Sequence, residues 1–358
     1  MSASLTCVQI GVGGWGGHWR KQVLPRLRKL GLAEPVAAVD INPAALSQAA
    51  KDLGLPEERL YADARTAIEQ TRPDFICIVV PPAHHETMVD LALEFGCHIL
   101  SEKPIADSME ACARVYRKVK KAGLKMAVTM SHRFDQDKQT LERLIKSGDF
   151  GRLDYLVGRN TWAARKRMQW GNFRYDIPDP LLIEGTVHHF DIMRSLAGAD
   201  AKRVHSITWN PQWSEFSGDC QALILIEMTN GVRVFYEGAK ANASTLNGWT
   251  RDYWRAECER ATLELDNRRL RLVSDLDGRR VERDMPLDAR EAWMNPWLAE
   301  LFCRWLLGGE APPNALDDNI HCAALLFAAI ESAHANQVVD VPEFLARHLE
   351  TAGESRQA

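Results

Sequence analysis

The first forty residues constrain the fold more than any other part of the chain. An apolar segment ending at Ile10 leads directly into Gly11, Gly13 and Gly16, which have the spacing G-x-G-x-x-G, and a helical pattern follows. The segment PVAAVD then reads as a second strand that ends at Asp40. A dinucleotide site needs this order of strand, glycine turn, helix and acid-tipped strand. The sequence therefore predicts a dinucleotide-binding βαβ unit; the alternative is a glycine-rich structural turn in another doubly wound sheet.

Each part of this motif has a physical task. Gly11 permits the tight turn, Gly13 lets the main chain approach the pyrophosphate, and Gly16 lets the helix pack closely on the strand. The N-terminus of the helix offers N–H groups to the phosphates. Asp40 can accept hydrogen bonds from the adenosine ribose and would repel a 2′-phosphate. This favours NAD over NADP, unless a distant cation such as Arg65 folds back.

Composition and charge limit the classes of function. The chain has 358 residues, of which 46% are hydrophobic and 26% charged, and its net charge is −4. This length predicts two domains, and this charge gives no support for nucleic-acid or membrane partners. No apolar segment is long enough to span a bilayer and no signal peptide is visible, so we expect a cytoplasmic protein. The eight cysteines show no C-x-x-C spacing, which indicates buried thiols and predicts no metal site.

Two regions differ in their pattern of predicted elements. Strands and helices alternate up to about residue 131, and the strand DFICIVVPP is apolar throughout, as a parallel sheet covered on both faces requires. Beyond Gly151 the strands read as an antiparallel sheet, interrupted by one helix at roughly 185–197. We therefore predict an α/β Rossmann domain that binds NAD(P) at 1–131. An α+β domain for substrate binding and oligomerisation is predicted at 132–358.

Three further segments carry a resemblance to a known family. They are VPPAHHETMVDLALEFGCHILSEKPIADS, SHRFDQDKQTLERLIKSGDFGRLDYL and EGTVHHFDIMRSLAG. With the glycine motif, they resemble the Gfo/Idh/MocA family (glucose-fructose oxidoreductase and inositol dehydrogenase) over about residues 5–341. The most specific marks are Glu102–Pro104 and the set Glu184, His188 and Asp191. The resemblance implies a Rossmann domain followed by an α+β domain with a large open, mainly antiparallel sheet. It also implies a homodimer or homotetramer built on that sheet.

Hydride transfer between a nicotinamide and a sugar carbon needs a base for the hydroxyl proton. His188 is the candidate, because an imidazole titrates near neutral pH. Glu184, four residues earlier, would orient the ring if the segment is helical, and Lys103 would stabilise the developing alkoxide. The resemblance implies the same three roles, and often an unusual peptide bond before Pro104. Two positions depart from the family pattern, which usually has Asp in place of Glu184 and often Asn in place of Pro82.

The remaining site predictions divide by ligand. The residues that we expect to contact the cofactor are Gly11, Gly13, Gly14, Trp15, Gly16, Asp40, Pro81, His85, Glu102 and Lys103. Those that we expect to contact a carbohydrate substrate are Arg133, Trp162, Arg165 and His189. A backbone-bonded histidine at a helix start explains His85 equally well, and a structural role is open for His189. Asp191 is expected to orient the helix or His188.

A segment rich in cations and aromatic residues precedes the predicted catalytic helix. Its members are Trp162, Arg165, Lys166, Arg167, Trp170, Arg174 and Tyr175. Such a surface suits an acidic or large glycosidic substrate, although a solvated basic loop or an oligomer contact explains it as well. The segment 242–254, with Asn247, Trp249 and Arg251, is a second candidate wall of the site.

Three functional hypotheses follow from the sequence. The leading one is an NAD-dependent oxidoreductase that acts on a secondary alcohol or ketone of a sugar, polyol or glycoside. The second keeps the cofactor but recycles it, because transient oxidation, typically at C3, acidifies the neighbouring C–H and permits elimination of a glycosidic bond. The third is a non-catalytic dinucleotide sensor on the same fold. The presence of Lys103 and His188 argues against the third, since a sensor needs neither.

Overall fold

The computed structural model describes residues 4–168 and 171–351. Trp170 of the basic segment lies outside them. The described chain forms two compact units. The first contains residues 4–131 and 292–320, and the second contains residues 132–291 and 321–350.

The first unit is built on a six-stranded parallel sheet in the order β3-β2-β1-β4-β5-β6. Its strands are β1 (Leu5–Ile10), β2 (Ala33–Val39), β3 (Leu60–Tyr61), β4 (Phe75–Ile78), β5 (His98–Ser101) and β6 (Met126–Val128). Every residue of β4 is buried, as the apolar pattern predicts for a central parallel strand. The strand order reverses between β1 and β4, and such sheets bind ligands at the carboxyl ends of strands beside this point. The predicted α/β Rossmann fold is confirmed.

The second unit is built on a nine-stranded sheet in the order β14-β13-β12-β11-β7-β10-β9-β8-β15. Its strands are β7 (Leu153–Thr161), β8 (Ala201–Trp209), β9 (Gln221–Met228), β10 (Arg233–Ala239), β11 (Tyr253–Cys258), β12 (Thr262–Asp266), β13 (Arg269–Ser274), β14 (Val281–Met285) and β15 (Val339–Asp340). The pairings are antiparallel except for that of β7 with β10, which is parallel. The predicted mainly antiparallel sheet is confirmed, with a parallel seam at its centre.

Capping chemistry sets the helix boundaries. Asp63 accepts a hydrogen bond from the Thr66 N–H at 2.8 Å and begins α4, while Gly96, at a φ of +71°, ends α5. The helices are α1 (Gly16–His18), α2 (Leu24–Lys29), α3 (Pro43–Leu53), α4 (Ala64–Thr71), α5 (His85–Phe95), α6 (Met109–Ala122), α7 (Gln136–Lys146), α8 (Phe173–Asp176), α9 (Val187–Ala197), α10 (Met294–Leu306), α11 (Leu316–Ala335) and α12 (Val341–Thr351). Two π-helical turns precede α2 and α9, at Trp19–Val23 and Leu182–Thr186. None of the helices in the described ranges combines the length and apolar character that a membrane crossing needs.

Candidate active site

Glycine geometry shapes the loop between β1 and α1. Gly11 has a φ of +85°, and a Cβ there would lie 2.1 Å from the main-chain oxygen of Val79. A Cβ on Gly16 would lie 2.2 Å from the Gly11 oxygen, so both positions exclude a side chain. Gly14 has a φ of +48°, and no described atom beyond its chain neighbours lies within 4 Å of a Cβ built there. The main chain of the loop packs tightly against the sheet at Gly11 and Gly16 and leaves free space beside Gly14. This arrangement is consistent with the close approach of a pyrophosphate.

The Asp40 carboxylate holds this loop from the end of β2. Its Oδ2 accepts hydrogen bonds from the N–H groups of Val12 at 2.9 Å and Gly13 at 2.8 Å. Its Oδ1 accepts from the Asn42 N–H at 2.8 Å. Asp40 is half-buried, and an ionised carboxylate has about four acceptor sites, of which these three N–H groups use two on Oδ2 and one on Oδ1, so Oδ1 keeps capacity for a ribose hydroxyl. The acid therefore has two tasks that the sequence pattern does not separate: it shapes the loop and it faces the ligand edge of the sheet.

Two buried polar side chains complete the loop. Gln9 is fully buried in β1 and donates from Nε2 to the main-chain oxygens of Gly11 and Gly16, both at 3.0 Å. Glu102, directly after β5, accepts from the indole N–H groups of Trp15 at 2.8 Å and Trp19 at 2.9 Å. Sequence reasoning missed Gln9, although a polar residue inside an otherwise apolar strand was a usable signal. Glu102 ties the glycine loop to the strand end that carries Lys103.

The segment after Glu102 is fixed by a histidine. The Lys103–Pro104 peptide bond is cis. His85 is fully buried, and its Nδ1 and Nε2 lie 2.8 and 2.9 Å from the main-chain oxygens of Pro104 and Val80. Burial lowers the pKa of His85, and this outweighs the two carbonyl contacts, which raise it. His85 thus connects the turns that follow β4 and β5. These contacts match the structural alternative for His85, a histidine at a helix start that is bonded to the backbone.

Turns after β4 hold the remaining residues predicted for the cofactor. Pro81 precedes a 3₁₀ turn at Pro82–His84, and Pro82 occupies its first position. A proline fits there because its missing N–H would have no partner inside the turn. The predicted cofactor residues of the first unit therefore lie at the carboxyl ends of the parallel strands. Asp40 and Glu102 contact the glycine loop directly, Asp40 through the main chain and Glu102 through the side chain of Trp15.

His188 lies in the second unit, near the beginning of α9, and is only 3% exposed. The predicted helix at 185–197 is α-helical from Val187, but residues 182–186 form a π-helical turn. Glu184 belongs to this turn, and its Oε2 accepts a hydrogen bond from Arg174 Nε at 2.7 Å. A π turn inserts one residue into the helical register and is frequent at functional sites. Residues 184–188 therefore do not form one regular α-helical turn, and the orienting role expected of Glu184 towards His188 stays a prediction.

A buried polar cluster lies beside His188, formed by His132, His189, Asp252 and Lys138. Asp252 Oδ2 lies 3.4 Å from His132 Nε2 and 3.2 Å from Lys138 Nζ, and its Oδ1 lies 3.8 Å from His189 Nε2. Burial favours a neutral Asp252, but the nearby imidazoles and the Lys138 ammonium outweigh it and hold its pKa well below the usual value. The cluster therefore contains an ionised carboxylate deep in the unit.

The ligand types in this cluster could in principle bind a metal ion. Ligand atoms of His132, His189 and Asp252 all lie within 4.8 Å of one another. Lys138, however, already brings a positive charge to Asp252, and three carboxylates outweigh its burial and raise its pKa. An ammonium beside the shared carboxylate opposes a second cation there. The absence of a metal therefore stays a prediction, which the Lys138 contact supports.

Arg133 and His189, both predicted to contact substrate, have partners inside the second unit. Arg133 Nη1 donates to Asp191 Oδ1 at 3.1 Å, so Asp191 anchors α9 to the turn that carries Arg133. His189 Nδ1 lies 2.8 Å from the Tyr236 hydroxyl. The direct substrate contacts predicted for these residues stay predictions. The contacts support a positioning task for both residues: Arg133 acts on α9 through Asp191, and His189 is next to His188 in the chain.

The basic segment before α9 carries its own counter-ions. Lys166 pairs with Glu215 at 2.9 Å, Arg167 pairs with Asp176, and Arg174 pairs with Glu184. Arg165 lies over the Trp213 ring at 5.9 Å, and Trp162 donates to Asn160 Oδ1 at 2.7 Å. These pairs reduce the positive charge that the sequence suggested for recognition of an acidic substrate.

Comparisons with known proteins agree with this geometry. Residues 5–130 match the sequence model "Oxidoreductase family, NAD-binding Rossmann fold", and residues 138–264 match the "GFO/IDH/MocA C-terminal domain". An uncharacterised protein of Sinorhizobium fredii, y4oX, is 43% identical over 94% of this chain and 96% of its own length. The scyllo-inositol 2-dehydrogenase (NAD⁺) of Bacillus subtilis is 27% identical over 68% of this chain and 69% of its own length.

Among solved structures, an oxidoreductase from Agrobacterium radiobacter, in complex with NAD⁺, L-tartaric acid and magnesium, has a TM-score of 0.81 at 19% identity. The match covers 95% of this chain and 99% of that one. The likeness confirms the fold of both units. The family matches and the 43% identical relative together extend over nearly the whole chain. The chain therefore belongs to the Gfo/Idh/MocA family of oxidoreductases, and its N-terminal region is an NAD-binding Rossmann fold.

Proposed function

We propose that this protein is an NAD-dependent dehydrogenase that moves a hydride between the nicotinamide and a secondary alcohol or ketone of a sugar, polyol or glycoside. The observation that carries the proposal is the Glu102 carboxylate, which accepts from Trp15 of the glycine loop and from Trp19 of the π-helical turn that follows α1. It holds the strand end bearing Lys103 at the edge of the sheet where the dinucleotide binds. Relatives named inositol dehydrogenases support the substrate class.

The proposed chemistry divides between three side chains. NAD, when bound, supplies the hydride acceptor. Lys103 donates a hydrogen bond to the substrate oxygen and stabilises its negative charge as the hydroxyl proton leaves. His188 accepts that proton, and in the reverse direction it returns the proton to the new alcohol. Glu184, paired with Arg174, positions the start of the helix that carries His188.

The outer face of the large sheet supports a homo-oligomer. Ile207 and Leu223 are cross-strand partners, as are Leu225 and Phe235, and all four are exposed. These pairs lie on neighbouring strands β8, β9 and β10, and large contiguous apolar patches are uncommon on monomers. We propose that this face pairs with a second copy, as a homodimer or within a homotetramer. Replacing Leu225 by Asp should then shift the native mass towards the monomer.

We propose a cytoplasmic location because the cysteines, all of which lie within the described ranges, form no disulfide bonds. All eight are free thiols, seven of them buried. Such usage is typical of a reducing compartment.

A substrate screen with cofactor tests the proposed reaction. The purified protein would be incubated with NAD or NADP and with inositols, aldoses, uronates and aryl glycosides, and both reduced cofactor and products would be measured. Formation of NADH with one sugar class, lost in His188→Asn, is the expected result. Cleavage without net NADH would replace the proposal by redox-assisted glycoside cleavage. Tight NAD binding with no turnover of any compound would favour the sensor.

A further inference from the structure

Trp249 has an unusual position for a partly exposed tryptophan. Its ring meets the His188 ring edge to face, with centroids 5.0 Å apart and planes at 75°. The Trp162 ring, also partly exposed, lies 6.4 Å away. The indole of Trp249 therefore borders the imidazole to which we assign the proton transfer, with a second indole, tilted by 59°, beyond it.

The loop that carries Trp249 is held at its first end by Asn247. The Asn247 side chain is buried and donates from Nδ2 to Asp266 Oδ1 at 2.8 Å. Its main-chain oxygen accepts from the N–H of Thr161 at 3.0 Å and from Asn160 Nδ2 at 3.1 Å. These contacts fix the loop to β7 and to the end of β12.

The other end of the loop is held in a strained conformation. Thr250 has a φ of +65°, which costs a β-branched residue free energy. Its N–H donates to His132 Nε2 at 3.3 Å, and its oxygen accepts from Arg268 Nη1 at 3.4 Å. The His132 ring also packs against the indole, with centroids 4.1 Å apart and ring planes at 39°. The buried Asp252 cluster thus fixes the conformation of a partly exposed aromatic side chain.

We propose that Trp249 is a stacking platform for the C–H face of a ring-shaped sugar or cyclitol, and that it selects cyclic over open-chain substrates. The polarised C–H groups of such a ring meet the negative face of an indole favourably. A rigid ring presents several of these groups at once, whereas an open chain must first lose conformational entropy. Stacking on Trp249 brings a ring carbon and its hydroxyl beside His188. The inference rests on the proposed function and narrows its substrate class.

Saturation-transfer NMR with NAD present tests contact without requiring turnover. The cyclic probes are myo-inositol, scyllo-inositol, D-glucose and 1,5-anhydro-D-glucitol, and the open-chain probes are D-glucitol, glycerol and L-tartrate. We expect saturation of ring C–H protons in at least one cyclic probe, and about tenfold weaker binding of that probe by Trp249→Ala. Trp249→Phe keeps an aromatic face and should retain part of the affinity. Trp305→Ala, at a partly exposed tryptophan on α10 of the first unit, is the matched control and should leave binding of the probe unchanged.

The outcomes separate this inference from the proposed reaction. Ring saturation that depends on Trp249, without NADH formation, would support the platform while removing the dehydrogenase assignment. NADH formation from open-chain probes alone, or from cyclic probes with equal kcat/KM in wild type and Trp249→Ala, would overturn the platform and leave the dehydrogenase intact. Absence of ring saturation in every cyclic probe would also overturn it.

Discussion

Replacing Asp40 by Ala removes a carboxylate that serves both the protein and the ligand. In the apo protein, the N–H groups of Val12 and Gly13 lose their acceptor at 2.9 and 2.8 Å. Water reaches a half-buried site, so we expect a loss of about 1–2 kcal/mol, or a fall in Tm of a few degrees. In the complex, the ribose loses a charged acceptor worth about 1.5–3 kcal/mol. The Kd for NAD should therefore rise about 10- to 100-fold. The Kd for NADP should rise less, because repulsion of the 2′-phosphate is removed.

Isothermal titration of NAD and NADP, together with thermal unfolding of the apo protein, separates these effects. Asp63→Ala is the matched control, because Asp63 also accepts from a main-chain N–H, at the start of α4. It should cost about 1 kcal/mol of stability and leave both cofactor affinities unchanged. Asp40→Asn keeps the shape and one acceptor oxygen, so its affinity for NAD should be intermediate. An Asp40→Ala protein with wild-type affinity and wild-type preference for NAD would refute the assignment.

Three further predictions concern other parts of the two units. His188→Asn should lower turnover by about 100-fold or more with unchanged NAD affinity; stopped-flow assays giving near-normal rates would remove it as the base. Gly16→Ala should abolish NAD binding, since its Cβ would lie 2.2 Å from a main-chain oxygen, whereas Gly14→Ala should cost only about 1 kcal/mol for its positive φ; equal titration curves for the two would contradict this. Burial lowers the pKa of His132 from 6.5 to about 3, so the unfolded chain binds a proton that the folded chain does not. The contribution of the neutral His132 ring to the free energy of unfolding should therefore be complete above pH 6.5 and fall by about 1.4 kcal/mol per pH unit as the pH drops towards 3. Urea unfolding of His132→Gln should show a smaller dependence of this free energy on pH.

Local sequence patterns predicted the first unit well because its strands and its helix ends are each set by neighbouring residues in the chain. A parallel strand buried on both faces is apolar throughout, and left-handed glycines end α3, α5 and α6. The large sheet was harder to predict. Strand periodicity identifies β7 and β10 but carries no information on their direction relative to each other. Their parallel pairing follows from the chain returning through β8 and β9, which no local pattern encodes.

The candidate site was predictable where a short motif determines the backbone, and less so where the contacting residues are far apart in the sequence. The glycine loop and Asp40 lie within one βαβ unit, and their mutual contacts follow from its geometry. His132 and Asp252 are 120 residues apart in the chain and meet only in the folded unit. The π turn at Leu182–Thr186 was not predicted, because local residue spacing does not distinguish a π-helical turn from an α-helical one.

Residues 292–320 belong to the first unit although they follow the second unit in the sequence, and they complete its packing. Phe302 packs edge to face on Phe75 of β4, with centroids 5.4 Å apart. Asn314 bonds the main chain of Val128 on the edge strand β6 through both its oxygen and its side-chain amide. A fragment that stops at residue 131 would leave that strand edge bare and a cavity beside β4. The nucleotide-binding half is therefore not a transferable module, and recombination at its apparent boundary would yield an aggregation-prone piece.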